Sequence, residues 1–137
     1  MGMKQILVMM AAAVSLSVVA DEVVITDSVL KEVLGKKLKK PYGKFAPPMK
    51  LTEAELQSLT DLTLAETKIT DANLKEVVKL QNLTYLNLYD TQITDAGLKE
   101  VAKLQNLKKL YLPATQATKA GVAELKKALP NCYIEGP

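Results

Sequence analysis

Apolar residues fall in two different rhythms along this chain, and the two alternate. Short stretches with every second position apolar, such as Leu86 and Leu88, give way to stretches with apolar residues three or four apart, such as Leu98, Val101, Ala102 and Leu104. The first rhythm belongs to a half-buried strand and the second to one face of a helix. The alternation is itself periodic. Residues 59–82 read LTDLTLAETKITDANLKEVVKLQN and residues 83–106 read LTYLNLYDTQITDAGLKEVAKLQN, identical at 17 of 24 positions. Residues 107–131 follow the same frame with one extra residue and looser agreement. Each unit predicts strand, turn, helix. Thr94 stands where it caps the helix of its unit, and Asp95 lies in the first turn, where the helix dipole favours negative charge. One unit cannot bury its own apolar faces, whereas stacked units share a leucine core and pair their strands in parallel.

The stack needs its ends covered. Residues 27–40 place Val29, Leu30, Val33, Leu34 and Leu38 on one helical side, with either Asp27 or Thr26 as the cap and Pro41 as the stop. A loop rich in proline and lysine runs to Lys50, and Thr52-Glu53-Ala54-Glu55 then forms a capping-box pattern that opens a short helix. At the other end Leu129, Cys132 and Ile134 add a last short strand whose register the pattern leaves open. Residues 1–20 have a different character. One lysine precedes fifteen uncharged residues (6–20), which end in Val18-Val19-Ala20 before Asp21-Glu22. That run is short of the roughly 20 residues of a membrane span and has the form of a secretory signal peptide. The expected organisation is a signal peptide at 1–20 and one domain at 21–137. The domain divides into an N-terminal cap at 21–58, repeats at 59–82, 83–106 and 107–131, and a terminal strand at 132–137.

The stretches Leu59-x-x-Leu62-x-Leu64-x-x-Thr67-x-Ile69, Leu83-x-x-Leu86-x-Leu88-x-x-Thr91-x-Ile93 and Leu107-x-x-Leu110-x-Leu112-x-x-Thr115-x-Ala117 resemble the strand signature of leucine-rich repeat proteins, with threonine where that family more often has asparagine. The Thr-Asp-Ala-Gly-Leu run at 94–98 is similar to bacterial repeats with helical convex sides. The helix, Lys-Pro-x-Gly and Leu-Thr-Glu-Ala-Glu-Leu order from 28 to 59 resembles internalin-like N-terminal caps. The resemblance implies an α/β fold. It would be a short leucine-rich repeat solenoid with a parallel sheet on the concave side, helices on the convex side and a helical N-terminal cap. The third unit departs from the pattern: Ala117 replaces Ile69 and Ile93, Lys119 replaces Asp71 and Asp95, and Pro113 follows the strand.

Composition removes most catalytic chemistry. All 18 basic residues are lysine, and histidine and arginine are absent. No Ser-His-Asp set, imidazole ligand or bidentate guanidinium fork is available. One cysteine, Cys132, excludes an internal disulfide and a cysteine-based zinc site. Glu66 and Asp90 occupy equivalent places in adjacent units, but without a cleft or further ligands they predict neither catalysis nor a metal site. No cofactor is expected.

Two surfaces remain as candidates for function. Four of the seven differences between the first two units, Asp61/Tyr85, Thr63/Asn87, Ala65/Tyr89 and Glu66/Asp90, alternate with or follow the inward leucines. A diversified surface on a constant frame has this form, and the resemblance implies partner binding on the concave face. Tyr85, Asn87, Tyr89, Asp90, Lys109 and Tyr111 are the candidate contacts to a protein partner, since tyrosine supplies contact area at low entropic cost. The alternative is that tyrosine simply suits strand surfaces. Four strands about 4.8 Å apart make a face smaller than a standard interface of about 800 Å² per partner. The second surface is the cap. Residues 31–50 hold seven lysines and one acid, and Lys36, Lys37, Lys39 and Lys40 are candidates for contact with an anionic envelope surface, or form an ordinary solvated face. Missing arginine and the export signal argue against nucleic acid. The expected location is periplasmic or secreted.

Overall fold

The computed structural model describes residues 23–43 and 45–137; the expected signal segment at 1–20 lies outside the described residues. The leucine alternation becomes a parallel sheet of four three-residue strands, β3 (Asp61–Thr63), β4 (Tyr85–Asn87), β5 (Lys109–Tyr111) and β6 (Tyr133–Glu135), in that order. Adjacent strands pair at an offset of 24 residues throughout, which stacks Leu62, Leu86, Leu110 and Ile134 inward. The third unit therefore keeps the period of the first two. The extra residue expected between 107 and 131 does not shift the terminal strand, whose register the sheet fixes through Lys109 opposite Tyr133.

Helices α3 (Leu74–Val77), α4 (Asp95–Val101) and α5 (Lys119–Ala128) follow the strands and pack in sequence order. Thr94 and Thr118 cap the second and third of them, accepting from the amides of Ala96 and Gly121. Between sheet and helices runs one core from Ile25 to Ile134, fully buried in the middle units and slightly more open at the C-terminal end. Each leucine so buried contributes roughly 1.5–3 kcal/mol. The threonines of the motif turn their hydroxyls onto the carbonyl three residues back, Thr67 to Leu64, Thr91 to Leu88 and Thr115 to Leu112, at 2.6–2.8 Å. Each closes the turn after its strand without a partner from another unit.

The cap is less purely helical than expected. Helix α1 (Ser28–Leu38) starts at Asp27, which caps it in preference to Thr26, and α2 (Glu53–Ser58) carries the full capping box of Thr52 and Glu55. The structure adds two strands, β1 (Val23–Ile25) and β2 (Met49–Leu51), which pair antiparallel. Ile25, Met49 and Leu51 go inward to join the core.

Polar stitching between units explains several side chains. Asp71 accepts from the Thr94 amide (2.9 Å) and hydroxyl (2.5 Å) in the next unit, and Asp95 does the same for Thr118 at 2.7 and 2.6 Å. Asp95 lies in the first turn of its own helix as expected, and both aspartates also reach forward and fix the start of the following helix. Glu76 holds the cap, accepting from the Thr26 hydroxyl and the amides of Thr26 and Asp27. Asn73 replaces the glycine of the later units, and its side chain accepts from the Thr70 amide and donates to Asp27. Here the earlier aspartate is Asp27, which accepts from the Asn73 side chain.

Burial disfavours the Glu76 carboxylate, but the Thr26 and Asp27 donors outweigh it and hold its pKa below the usual range. The Thr118 hydroxyl and amide hold Asp95 low in the same way. A carboxylate with a depressed folded-state pKa contributes stability above its unfolded pKa and loses it as pH falls through the folded value. The melting temperature is expected to hold steady down to about pH 5 and to fall toward pH 3. Glu76→Gln should be less stable at neutral pH and show a flatter acid limb by circular dichroism. An unchanged acid limb would remove Glu76 from this role.

Candidate binding face

In-register pairing turns the outward residues of the strands into rows. The first row is Asp61, Tyr85, Lys109 and Tyr133, and the second is Thr63, Asn87, Tyr111 and Glu135. The residues after the strands continue the pattern, because the amides of Glu66 and Asp90 bond the carbonyls of Tyr89 and Pro113. Five of the six candidate contacts, Tyr85, Asn87, Tyr89, Lys109 and Tyr111, thus come together on one side of the sheet. The rings of Tyr89 and Tyr111 lie 6.2 Å apart and tilted by 31°. Lys109 extends its ammonium to 5.9 Å from the Tyr133 ring, a cation–π spacing. Tyr89 and Tyr133 are exposed, and Tyr85, Asn87 and Tyr111 are half-buried.

The sixth residue, Asp90, sits at the rim on a bend. Glu66, Asp90 and Ala114 all adopt left-handed backbone, with φ of 59°, 52° and 61°. A short polar residue tolerates that conformation better than most, through local hydrogen bonding. Asn87 also serves the local structure. Its Oδ1 accepts from the Tyr89 amide at 2.9 Å and so orients the chain that presents the Tyr89 ring. Asp61 faces the cap, where Lys37 pairs with it at 3.0 Å. The contrast between Asp61 and Tyr85 is then one between a cap-facing strand and an interior one. Tyr133 is the residue that sequence reasoning missed. With 61% of its surface exposed it extends the aromatic row, and a strict 24-residue step from Lys109 would have found it.

The cap lysines are more committed than their number suggests. Lys31 is buried, with its ammonium on the Ala46 carbonyl at 2.8 Å. Lys37 pairs with Asp61, Lys40 with Glu55 at 3.0 Å, and Lys36 with Glu32 at 2.8 Å in an exposed pair. Lys39 ends α1 in left-handed backbone and has no ion pair among the described residues. On the helix side an open groove runs between α4 and α5, lined by Leu98, Ala102, Gly121 and Leu125. Among the described residues no group of three or more carboxylate or cysteine side chains converges as a metal site, and no helix is long and apolar enough to cross a membrane.

Strand leucines stacked in register every 24 residues, a threonine closing each turn and a helix returning behind each strand decide the architecture. The fold is a leucine-rich repeat solenoid. No protein-family model and no curated protein matches the chain. Among solved structures it is similar to an internalin (InlF) from Listeria monocytogenes. That likeness has 25% identity over 81% of this chain and 36% of that one, with a TM-score of 0.48. It is also similar to a leucine-rich repeat protein of Leptospira interrogans, with 24% identity over 62% of this chain and 28% of that one and a TM-score of 0.42. This leucine-rich repeat chain spans well under half the length of either structure.

Proposed function

We propose that this chain is an exported binding module that holds a protein partner against the outward face of its parallel sheet. The observation that carries the reading is the aromatic patch of Tyr85, Tyr89, Tyr111 and Tyr133 around Lys109, on a sheet whose buried positions are nearly constant. Preorganised tyrosines lose little entropy on contact and are enriched at binding hot spots. The half-buried rings are held by the sheet beneath them. The reading assigns no catalysis, cofactor or metal to the chain, and places the mature protein outside the cytoplasm with Asp21 as its first residue. The face is narrow, so the rim at Asp90 and the flanks of the sheet share in the contact.

The test compares capture of envelope proteins by the wild type, by Tyr85/Tyr89/Tyr111→Ala and by Lys36/Lys37/Lys39/Lys40→Glu, with melting curves to confirm that each folds. A saturable partner should be kept by the wild type and the lysine variant and lost with the tyrosines. Each contact tyrosine is expected to contribute about 1–2 kcal/mol, so the triple variant should lower affinity by at least a hundredfold. Loss with the lysine variant alone, together with strong salt sensitivity, would overturn the reading.

A further inference from the structure

A polar groove runs along the flank of the sheet where the chain passes from helix back to strand. Its volume is about 480 Å³, within the range of roughly 300–1,000 Å³ typical of small-molecule sites. Five primary amides line it: Gln57 from α2, Asn82 before β4, Gln105 and Asn106 before β5, and Asn131 before β6. Among the described residues Lys108 is the one charged side chain in the lining. Leu107, the one large apolar residue there, is itself buried in the core.

These amides are held in place. Asn82 donates to the Leu56 carbonyl at 3.2 Å and Asn106 to the Gln81 carbonyl at 3.0 Å. Gln105 donates to the Ala102 carbonyl at 2.7 Å, and Gln57 to the Glu53 carboxylate at 3.3 Å. Each bond uses one N–H of a group that carries two, and none uses the amide oxygen. One donor and one acceptor per side chain are left over, on rotamers whose freedom the fold has already removed. The Thr84 hydroxyl donates to the Thr60 carbonyl at 3.0 Å and keeps its own lone pairs. The Asn131 side chain makes no hydrogen bond among the described residues, so the fold itself makes no use of that amide.

We propose that this groove binds a neutral oligosaccharide that crosses the units from Gln57 to Asn131. A sugar hydroxyl both donates and accepts, so adjacent hydroxyls match the donor and acceptor that each amide presents. The strands step at about 4.8 Å, close to the length of one sugar ring, so successive rings meet successive amides. One ammonium is too few for a polyanion, and a peptide would find no apolar recess for its side chains. The site does not rest on the tyrosine face, since no tyrosine lines the groove.

Side-chain amide resonances of the isotope-labelled full chain give the readout, during titration with cellotetraose, chitotetraose and maltotetraose. Those of Gln57, Asn82, Gln105, Asn106 and Asn131 should shift saturably with at least one of the three, while Asn87 on the sheet face stays still. Gln57→Ala with Asn131→Ala removes two amides that bond no backbone group. Melting should be unchanged and the titration weakened about tenfold or more. Tyr85/Tyr89/Tyr111→Ala should titrate as the wild type does, which separates this site from the protein-binding face. Absence of a saturable shift with all three sugars overturns the proposal, as does a titration unmoved by the amide changes. Shifts centred on Asn87 and lost with the tyrosines would move the sugar to the sheet face and overturn the groove. An equal response to tetraglycine would reassign the groove to peptide backbone. A salt-reversible response to polygalacturonate alone would reassign it to an anionic polymer, and either result overturns the neutral sugar.

Discussion

Leu86→Asp is expected to abolish cooperative unfolding, while Asn87→Asp, one residue away, should melt almost as the wild type does. Leu86 is completely buried and lies between Leu62 and Leu110 in the stacked row. The substitution forfeits roughly 1.5–3 kcal/mol of apolar burial and places a carboxylate between repeats, at a penalty of several kcal/mol. Together these consume most of the roughly 5–15 kcal/mol available to a domain. Asn87 points the other way and uses only its Oδ1, as acceptor from the Tyr89 amide. An aspartate oxygen accepts the same bond, so the change should stay within about 0.5 kcal/mol. Leu86→Ala supplies the intermediate case, a loss of about 2–5 kcal/mol with cooperativity retained. The measurement is urea denaturation followed by circular dichroism. A cooperative transition for Leu86→Asp would mean that the inward and outward sets are exchanged.

The second large effect is a change of sign. Alanine normally favours a helix over glycine by up to about 1 kcal/mol. At Gly121 the structure reverses that preference, because a Cβ there would lie 2.1 Å from Oδ1 of Asp95, the carboxylate that grips Thr118. All three of the nearest atoms belong to Asp95. Gly121→Ala should therefore destabilise by about 1–3 kcal/mol, as overpacking does, with loss of the bonds to Thr118. In an Asp95→Ala background the obstacle is gone, and the same glycine change should be neutral or stabilising. Four proteins and their denaturation midpoints complete the cycle. Equal effects of Gly121→Ala in the two backgrounds would show that Asp95 is not the obstacle. The first unit carries a different solution: position 73 is an asparagine whose side chain donates to Asp27.

The period and the inward leucines were legible because stacking repeats the same burial at a fixed interval. The caps at Thr52 and Thr94 were legible because capping acts within a few residues, and the same reasoning narrowed the first helix to Asp27 or Thr26. The pairing of Val23–Ile25 with Met49–Leu51 was not, since three residues are too few to display a rhythm. Asp95 was read in the first turn of its own helix, where it lies, but the forward reach of Asp71 and Asp95 was not legible. Their partners lie 23 residues away, where only the stacked structure brings them. The shared side of Tyr85, Asn87, Lys109 and Tyr111 was legible because strand alternation determines which side a residue takes. Tyr133 escaped because the terminal register was open, and the roles of Asn87 and Asp61 escaped because each depends on a neighbour in space. The engagement of Lys31, Lys37 and Lys40 was likewise hidden.

The forward reach of Asp71 and Asp95 gives each repeat a plug and a socket. A unit offers a carboxylate ahead and presents a threonine amide and hydroxyl behind, so assembly has a direction, as in a chain-growth polymer. The second unit is the propagating type, with a socket at Thr94 and a plug at Asp95. The third keeps the socket at Thr118 but carries Lys119 where the plug would be, the counterpart of a terminating monomer. Further copies of residues 83–106 inserted after Asn106 would meet matching ends on both sides. The width of the sheet face is thus a quantity that gene duplication can adjust one strand at a time, with the cap and the third unit left as they are.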